Sequence, residues 1–201
     1  ALFRASCRSG TIALRLVFRF SADTFLTVSE QALEILERVF GFHSFRGFQQ
    51  DVIEHVAQGG DALVLMPTGG GKSLCYQVPA LMRPGVAVVI SPLIALMADQ
   101  VSSLEQLGVR AAFLNSTLSS RESFEVRSRL RRGDVDILYV APERLMMQGM
   151  IELLDELDIA LFAVDEAHCI SQWGYDFRPD YLEISALRKV VDAPVIALTE
   201  S

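Results

Sequence analysis

The sequence has few cysteines, and none of them form a closely spaced pair. Cys7, Cys75 and Cys169 are the three cysteines of the 201-residue chain, and no CxxC motif occurs. Disulfide-stabilised domains and zinc modules depend on several cysteines at short, regular spacings. The spacing therefore argues against a disulfide framework or a zinc site, and it favours a reducing, cytoplasmic environment.

Long apolar runs and an excess of basic residues are also absent. Without an uninterrupted run of about 18 apolar residues, the sequence predicts no membrane span. The formal net charge of −7 argues against a protein that coats nucleic acid without regard to sequence, although it leaves room for a local basic track. With 51% hydrophobic and 21% charged residues, the composition is typical of a folded globular domain.

Acidic residues are missing from the first 22 residues, which contain four arginines. This acid-poor, Arg- and Ser-containing start resembles an organelle transit peptide in composition. We favour an extension without function, or one arising from cloning or a shifted reading frame; organelle targeting is the alternative. The chain begins with Ala rather than Met, so we expect its true start to be missing. We interpret residues 1–28 as an N-terminal extension and residues 29–201 as one domain.

Hydrophobic periodicity predicts an α/β domain. Ser29 is predicted to cap a first helix, and a second amphipathic helix is predicted over residues 48–58. Short apolar runs without alternation are typical of strands buried on both faces, as in a parallel sheet. These runs are residues 62–66, 86–90, 111–114, 137–140, 160–164 and 195–198. Helical patterns separate most of them, at residues 93–107, 121–132 and 180–190.

A glycine-rich loop follows the first predicted strand, in the stretch MPTGGGKS over residues 66–73. Glycines at 69–71 allow successive backbone N–H groups to point at a phosphate, and a helix beginning at Lys72-Ser73 directs its positive end to the same anion. Lys72 is predicted to reach the β- and γ-phosphates and Ser73 to bind Mg²⁺. The usual spacing GxxxxGK[ST] places a glycine where this chain has Met66.

Two carboxylates directly follow the apolar run 160–164. A buried strand that ends in Asp165 and Glu166 needs a cation or hydrogen bonds to compensate them. Asp165 is the natural second partner of a Mg²⁺ held by Ser73, and Glu166 is placed to orient or deprotonate an attacking water. The two motifs together indicate an NTPase.

These and neighbouring motifs closely resemble the RecQ family of DNA helicases in superfamily 2. The stretches that carry the resemblance are FGFHSFRGFQQDVI, MPTGGGKS, SPLIALMADQV, LYVAPERL, VDEAHCISQWGYDFRPDY and ALT. They extend over residues 29–199, and the triple-glycine loop and the aromatic stretch after DEAH distinguish RecQ proteins from DEAD-box RNA helicases. The resemblance implies the first RecA-like domain of a P-loop NTPase, with helices on both faces of a parallel sheet and with ATP and Mg²⁺ as cofactors.

The resemblance also implies roles for single residues. Phe42 and Arg46 match positions that sandwich adenine, and Gln49 matches a glutamine that bonds the base edge. Thr68, with Gly69, Gly70 and Gly71, belongs to the nucleotide site. The single-strand path is implied to include Ser91, Pro92, Asp99, Gln100, Asn115, Ser116, Pro142, Glu143 and Arg144. His168 resembles a histidine that links the metal site to the nucleic acid, and the DNA-coupling residues of the aromatic loop are Trp173, Phe177 and Arg178.

The chain departs from the family pattern in three places. Tyr175 stands where most relatives have His, which argues against a polar relay through that ring but leaves the ring able to stack. Ala197-Leu198-Thr199 is followed by Glu200-Ser201 instead of Ala-Thr. A second RecA-like lobe is absent from these residues, and with it an arginine finger of the kind that contributes about 10³–10⁵ in rate in related NTPases; the zinc and winged-helix modules are absent too.

The implied partners are single-stranded and duplex DNA and a second RecA-like lobe, with 3′→5′ movement along the single strand. We expect this chain alone to bind Mg-ATP weakly, to hydrolyse it slowly and not to unwind a duplex. Two alternatives remain: a non-catalytic nucleotide- or DNA-binding module, and an RNA helicase of the DEAD-box type, with which the DEAH sequence conflicts.

Overall fold

A six-stranded parallel sheet lies at the centre of the domain. The computed structural model describes residues 26–145, 147, 149–167 and 193–200. The strands are β1 (Ala62–Leu65), β2 (Val86–Ile90), β3 (Ala111–Leu114), β4 (Ile137–Val140), β5 (Ile159–Val164) and β6 (Val195–Thr199). They lie in the order β1-β6-β5-β2-β4-β3, and every neighbouring pair is parallel. The predicted parallel sheet is confirmed.

Helices cover both faces of the sheet, as predicted. They are α1 (Val28–Phe40), α2 (Gln49–Ala57), α3 (Leu74–Met82), α4 (Ile94–Gln106), α5 (Ser120–Arg132), α6 (Pro142–Leu145) and α7 (Met150–Asp155). Helices α2, α3 and α4 pack with Ala87 and Val89 of β2, whereas α5, α6 and α7 pack with Val88 and Ile90. Successive strand residues point to opposite faces, so the complete burial of β2 follows from helices on both sides.

Two helices begin with a capping box. Thr27 accepts a hydrogen bond from the Glu30 backbone N–H, and the Glu30 carboxylate accepts one from the Thr27 N–H in return. Ser119 and Glu122 form the same pair at α5. The prediction that Ser29 caps α1 is wrong, because the residue three positions after Ser29 is Ala32, which cannot return the bond. The first helix therefore starts at Val28, the last residue of the predicted extension.

The predicted element boundaries agree closely with the structure. Strands β2, β3 and β4 have the predicted bounds, and β1, β5 and β6 differ by one residue at one end. Helices α2, α4 and α5 differ by one residue at one or both ends, and the predicted helix over residues 180–190 lies outside the described residues. Among the described helices, none combines the length and the apolar character needed to cross a membrane.

The turn between α3 and β2 is fitted closely against the start of β5. Gly85 has φ +112°, and a Cβ there would lie 2.8 Å from the Ala160 backbone nitrogen and closer still to the Asp158 carbonyl oxygen. Arg83 binds the same region through its Nε, which donates to the Ala160 carbonyl at 2.6 Å, and through its Nη1, which donates to the Ala57 carbonyl at 2.9 Å. Contacts with backbone atoms of α2 and β5 thus join this turn, which follows α3, to both of those elements.

We expect Gly85→Ala to destabilise the domain by about 3 kcal/mol, because it adds a backbone clash to an unfavourable φ. Gly108→Ala is the matched control, since Gly108 also has a positive φ of +81° but no atom lies within 4 Å of the position that a Cβ would take there. We expect that control to lose about 1 kcal/mol. Urea unfolding measures both values, and equal losses would contradict the close fit at Gly85.

Candidate nucleotide site

The phosphate loop, the acidic pair and the chain after β6 meet at the carboxyl edge of the sheet. Loops after parallel strands lie at the same edge, which is where ligands bind in open α/β sheets. The pairing of β1 with β6 continues past the strand, where the Met66 N–H donates to the Thr199 carbonyl at 3.2 Å. On the other side, the Asp165 N–H donates to the Ile90 carbonyl at 2.9 Å. These bonds hold the loops that follow β1, β2, β5 and β6 next to one another.

The glycine-rich loop adopts a conformation that requires glycine. Gly69 and Gly71 have φ of +75° and +78°, which side chains other than glycine rarely adopt. The Gly70 N–H donates to the Pro67 carbonyl at 2.9 Å, so the loop curls before α3 begins at Leu74. The predicted helix start at residues 72–73 is two residues early, and Ser73 is the N-cap position. The first N–H groups of α3 therefore face the loop.

Gln49, at the start of α2, clamps this loop from outside. Its Nε2 donates to the carbonyls of Gly70 and Gly71 at 3.1 and 3.2 Å, and its Oε1 accepts from the Arg46 N–H at 2.8 Å. A Cβ at Gly71 would overlap the Gln49 amide. The close approach of Gln49 to the loop therefore requires glycine at position 71. Gln49 was predicted to bond the edge of adenine. In the structure its side chain is 2% exposed and its amide is bound within the protein.

Lys72 lies among carboxylates. Its Nζ is 3.1 Å from Glu200 Oε1 and 3.6 Å from Glu166 Oε1, and its side chain is only 12% exposed. Glu200 Oε1 also accepts a hydrogen bond from the Thr68 hydroxyl at 2.8 Å. Sequence reasoning missed this role of Glu200, because the contact joins residues 128 positions apart and no local pattern reveals it.

Asp165 is partly desolvated and next to another acid. Burial raises the pKa of the Asp165 carboxyl above its ordinary value, and the negative charge of Glu166 raises it further; the Glu166 N–H and Lys72 oppose this shift. The Glu166 N–H donates to Asp165 Oδ1 at 3.0 Å. Glu166 itself has φ +51°, an unfavourable conformation for a residue with a side chain. A cation beside Asp165 would relieve the electrostatic cost.

A cavity of about 120 Å³ lies between the phosphate loop and the ends of β2 and β5. Its polar lining includes Lys72, Ser73, Ser91, Gln100, Asp165 and Glu166. Within the described part of the chain, no three His, Cys, Asp or Glu side chains form a ready-made metal cage. Mg²⁺ commonly takes one or two carboxylates and completes its shell with water and substrate phosphates. The hydroxyl of Ser73 and the carboxylate of Asp165 both belong to residues that line this cavity, and their chemistry fits such an ion.

A buried polar cluster supports this cavity, and sequence reasoning missed it too. The hydroxyls of Tyr76 and Tyr139 lie 3.1 Å apart, and Gln77 Nε2 donates to the Tyr139 oxygen at 3.3 Å. Burial raises the pKa of both tyrosines, so both rings remain protonated. The sequence signal for this cluster was weak. Tyr76 and Gln77 are two polar side chains early in an apolar helix, and Tyr139 lies within the apolar run 137–140.

The predicted adenine residues Phe42 and Arg46 lie in the segment between α1 and α2. Phe42 is 48% exposed, which is unusual for a phenylalanine in a folded domain, and Arg46 is exposed as well. Both precede the Gln49 clamp in the chain, so they are connected to the loop through α2. Their exposed faces are compatible with stacking on a planar base, but stacking itself stays a prediction.

The predicted single-strand path falls at the ends of β2, β3 and β4. Asp99, Ser116 and Glu143 are exposed, Pro92 and Pro142 are half-buried, and Ser91 and Gln100 line the cavity. Asn115 is buried: its Oδ1 accepts bonds from the Thr117 N–H and hydroxyl. Arg144 donates through Nε and Nη2 to the Asn115 carbonyl at 3.0 and 2.9 Å. These last two residues hold the loops of the path together.

The remaining predicted residues, His168, Trp173, Phe177 and Arg178, lie outside the described residues, as does Tyr175. Their predicted roles therefore stay predictions.

Comparison with known proteins shows similarity to helicases. A family model described as DEAD/DEAH box helicase matches residues 46–199. The chain is 48% identical over 169 residues to the ATP-dependent DNA helicase RecQ of Haemophilus influenzae, covering 84% of this chain and 27% of the relative. It is 49% identical to RecQ of Bacillus subtilis, covering 84% and 29%. The RecQ-like DNA helicase BLM of Xenopus laevis is 42% identical, with 85% and 13% covered. The chain thus spans less than a third of these relatives.

A solved structure shares the fold. It is described as a hypothetical ATP-dependent RNA helicase from Sulfolobus tokodaii, and it matches with a TM-score of 0.65 at 22% identity. The match covers 84% of this chain and 50% of that one. At this identity the likeness shows the fold alone.

We expect Gln49→Ala to weaken binding of Mg-ATP and of Mg-triphosphate to the same extent, roughly tenfold, because the clamp shapes the phosphate loop. Inorganic triphosphate has no base, so a residue that only reads adenine would affect ATP alone. Gln50→Ala is the matched control, since Gln50 bonds Ser29 and Glu54 on the surface instead. Isothermal titration measures both ligands, and a loss confined to ATP would contradict the clamp.

Proposed function

Since the chain belongs to the DEAD/DEAH box helicase family and, within it, to the RecQ group as its N-terminal RecA-like domain, we propose that it is the ATP-hydrolysing lobe of a 3′→5′ DNA helicase. The observation that carries the proposal is the meeting of Lys72 with the acidic pair, with Nζ 3.6 Å from Glu166 Oε1 at the mouth of one cavity. A phosphate-binding cation and a water-orienting acid on the same cavity are what in-line phosphoryl transfer requires.

Each residue of the cavity has one part in this chemistry. The N–H groups of the phosphate loop and Lys72 bind and orient the polyphosphate, while Ser73 and Asp165 hold Mg²⁺. The metal, when bound, neutralises phosphate charge and polarises the bond to be broken. Glu166 Oε1 accepts a proton from, or orients, the attacking water, and its strained backbone keeps the carboxylate directed toward Lys72. The buried tyrosine pair fixes the floor beneath Asp165.

DNA binding belongs to the same proposal. The ends of β2, β3 and β4 lie along the carboxyl edge next to the cavity, and Ser91 and Gln100 line the cavity itself. A change at the phosphates of the bound nucleotide would therefore take place next to the strand-end loops that would contact the nucleic-acid backbone. The relatives are named DNA helicases, which favours DNA over RNA as the polymer. The whole protein would move on single-stranded DNA with a second RecA-like lobe that supplies an arginine finger.

We further propose that the domain begins at Thr27, the N-cap of α1, and continues to residue 201, with residues 1–26 as an extension that precedes it. We also propose a cytoplasmic location, which the few and widely spaced cysteines of the sequence support.

Lys72→Ala and Glu166→Gln are expected to separate binding from turnover. The first removes a phosphate ligand, so Mg-ATP affinity and hydrolysis both fall. The second keeps the volume of the side chain but removes the proton acceptor, so binding persists while kcat falls by roughly 10²–10⁴. Titration calorimetry and phosphate release measure the two quantities in a protein that includes the second lobe. Arg131→Ala, which removes an exposed cation of α5, is the control. Undiminished turnover in both site variants would overturn the proposed function.

The polymer is tested by adding nucleic acid to the two-lobe protein. We expect single-stranded DNA to stimulate ATP turnover more than RNA of the same sequence, with stimulation weakening as salt rises because phosphate contacts release counterions. The 201-residue chain alone is expected not to unwind a duplex in a strand-displacement assay. Equal stimulation by RNA would favour an RNA helicase, and robust unwinding by the single lobe would contradict the need for a second one.

A further inference from the structure

Glu200 lies where the phosphate loop would bind an anion. Its Oε1 accepts hydrogen bonds from Lys72 Nζ at 3.1 Å and from the Thr68 hydroxyl at 2.8 Å. A single carboxylate oxygen therefore binds two side chains of the loop. The contact is not local, since it joins the chain after β6 to the chain after β1.

The sheet fixes the position of Glu200. Thr199 pairs with Leu65, and the Thr199 carbonyl accepts a hydrogen bond from the Met66 N–H at 3.2 Å. The end of β6 is therefore held against the start of the phosphate loop. Glu200 is the next residue along the chain. It therefore reaches Lys72 because of the β1–β6 register and not because of chance on a long, unrestrained tail.

The charge balance makes this contact consequential. Lys72 is the cation that reaches the β- and γ-phosphates in a loop of this type. Here it is within 3.6 Å of Glu166 and closer to Glu200, with Asp165 on the same side. A polyphosphate that approaches Lys72 meets this added negative charge and must replace a bond that the lysine already makes. Both effects oppose binding, and they grow with the charge on the phosphates.

We propose that Glu200 competes with the terminal phosphates of the nucleotide for Lys72. This competition lowers nucleotide affinity, and it weakens binding of the triphosphate more than binding of the diphosphate. The proposal rests on the proposed function, because it concerns the same phosphate loop. Nucleotide binding breaks the Lys72–Glu200 ion pair and the Thr68–Glu200 hydrogen bond, and the carboxylate turns away from the loop. Mg²⁺ that arrives with the nucleotide offsets part of the repulsion.

The opposite role is physically distinct. If Glu200 served to hold Lys72 in the orientation that phosphate needs, its removal would weaken binding. The sign of the change in affinity therefore separates competition from positioning. The dependence on phosphate number is a second criterion, since the monophosphate is too short to reach Lys72 and should not respond.

The test is Glu200→Gln in the 201-residue chain, which keeps the size and hydrogen-bonding capacity of the side chain but removes its charge. Displacement of a fluorescent nucleotide measures the dissociation constants of Mg-ATP, Mg-ADP and AMP. We expect Mg-ATP to bind roughly 3- to 30-fold more tightly, Mg-ADP to gain less and AMP to be unchanged. Thermal melting gives an independent readout: the stabilisation by Mg-ATP should increase in the variant.

Glu105→Gln is the matched control, because Glu105 is an exposed acid at the far end of α4 and its loss changes net charge equally. If both variants bound Mg-ATP more tightly, the change in net charge would explain the effect and the proposal would be overturned. Unchanged or weaker Mg-ATP binding in Glu200→Gln would overturn it too. Failure of the underlying function has a different signature: wild type and Lys72→Ala would then bind Mg-ATP equally poorly. Lys72-dependent binding in wild type without a response to Glu200→Gln would sink the inference alone.

Discussion

The parallel pairing of β6 with β1 on one side and with β5 on the other is the constraint on which the site depends. Parallel strands deliver their following loops to one edge, so a phosphate loop after β1 and an acidic pair after β5 are brought together although about 90 residues separate them. Backbone bonds just beyond the strands, from Met66 to Thr199 and from Asp165 to Ile90, extend this order into the loops themselves. The helices on both faces bury the strands and leave that edge open to ligand.

Charge is the second organising feature of the edge. Lys72 stands between the carboxylates of Glu166 and Glu200, while burial and Glu166 hold the pKa of Asp165 above its ordinary value. The arrangement has more negative charge than one lysine can neutralise. It is therefore suited to a ligand that arrives with its own divalent cation, and it resists a polyphosphate that arrives without one. Mg-ATP, the proposed ligand, is of this kind.

Local patterns predicted most of the fold. The apolar runs, the glycines at 69–71 and the acids at 165–166 are short-range signals, and each appears in the structure as expected, with strand ends correct to one residue. The N-cap of α1 was misplaced at Ser29 because the reciprocal partner, Glu30, belongs to Thr27. The family resemblance placed Gln49 near the nucleotide, but it gave no sign that the amide is already bound to the phosphate loop.

By itself, then, the amino-acid sequence determined the class of fold and the order of its elements, and it singled out the residues proposed to bind phosphate and metal, because these depend on periodicity and on motifs within about ten residues. Tertiary structure alone decided which side chains meet across the sheet. The Gln49 clamp, the Tyr76–Tyr139 pair and the contact of Glu200 with Lys72 join residues 21 to 128 positions apart. Such contacts are set by strand order and register, which no local stretch of sequence contains.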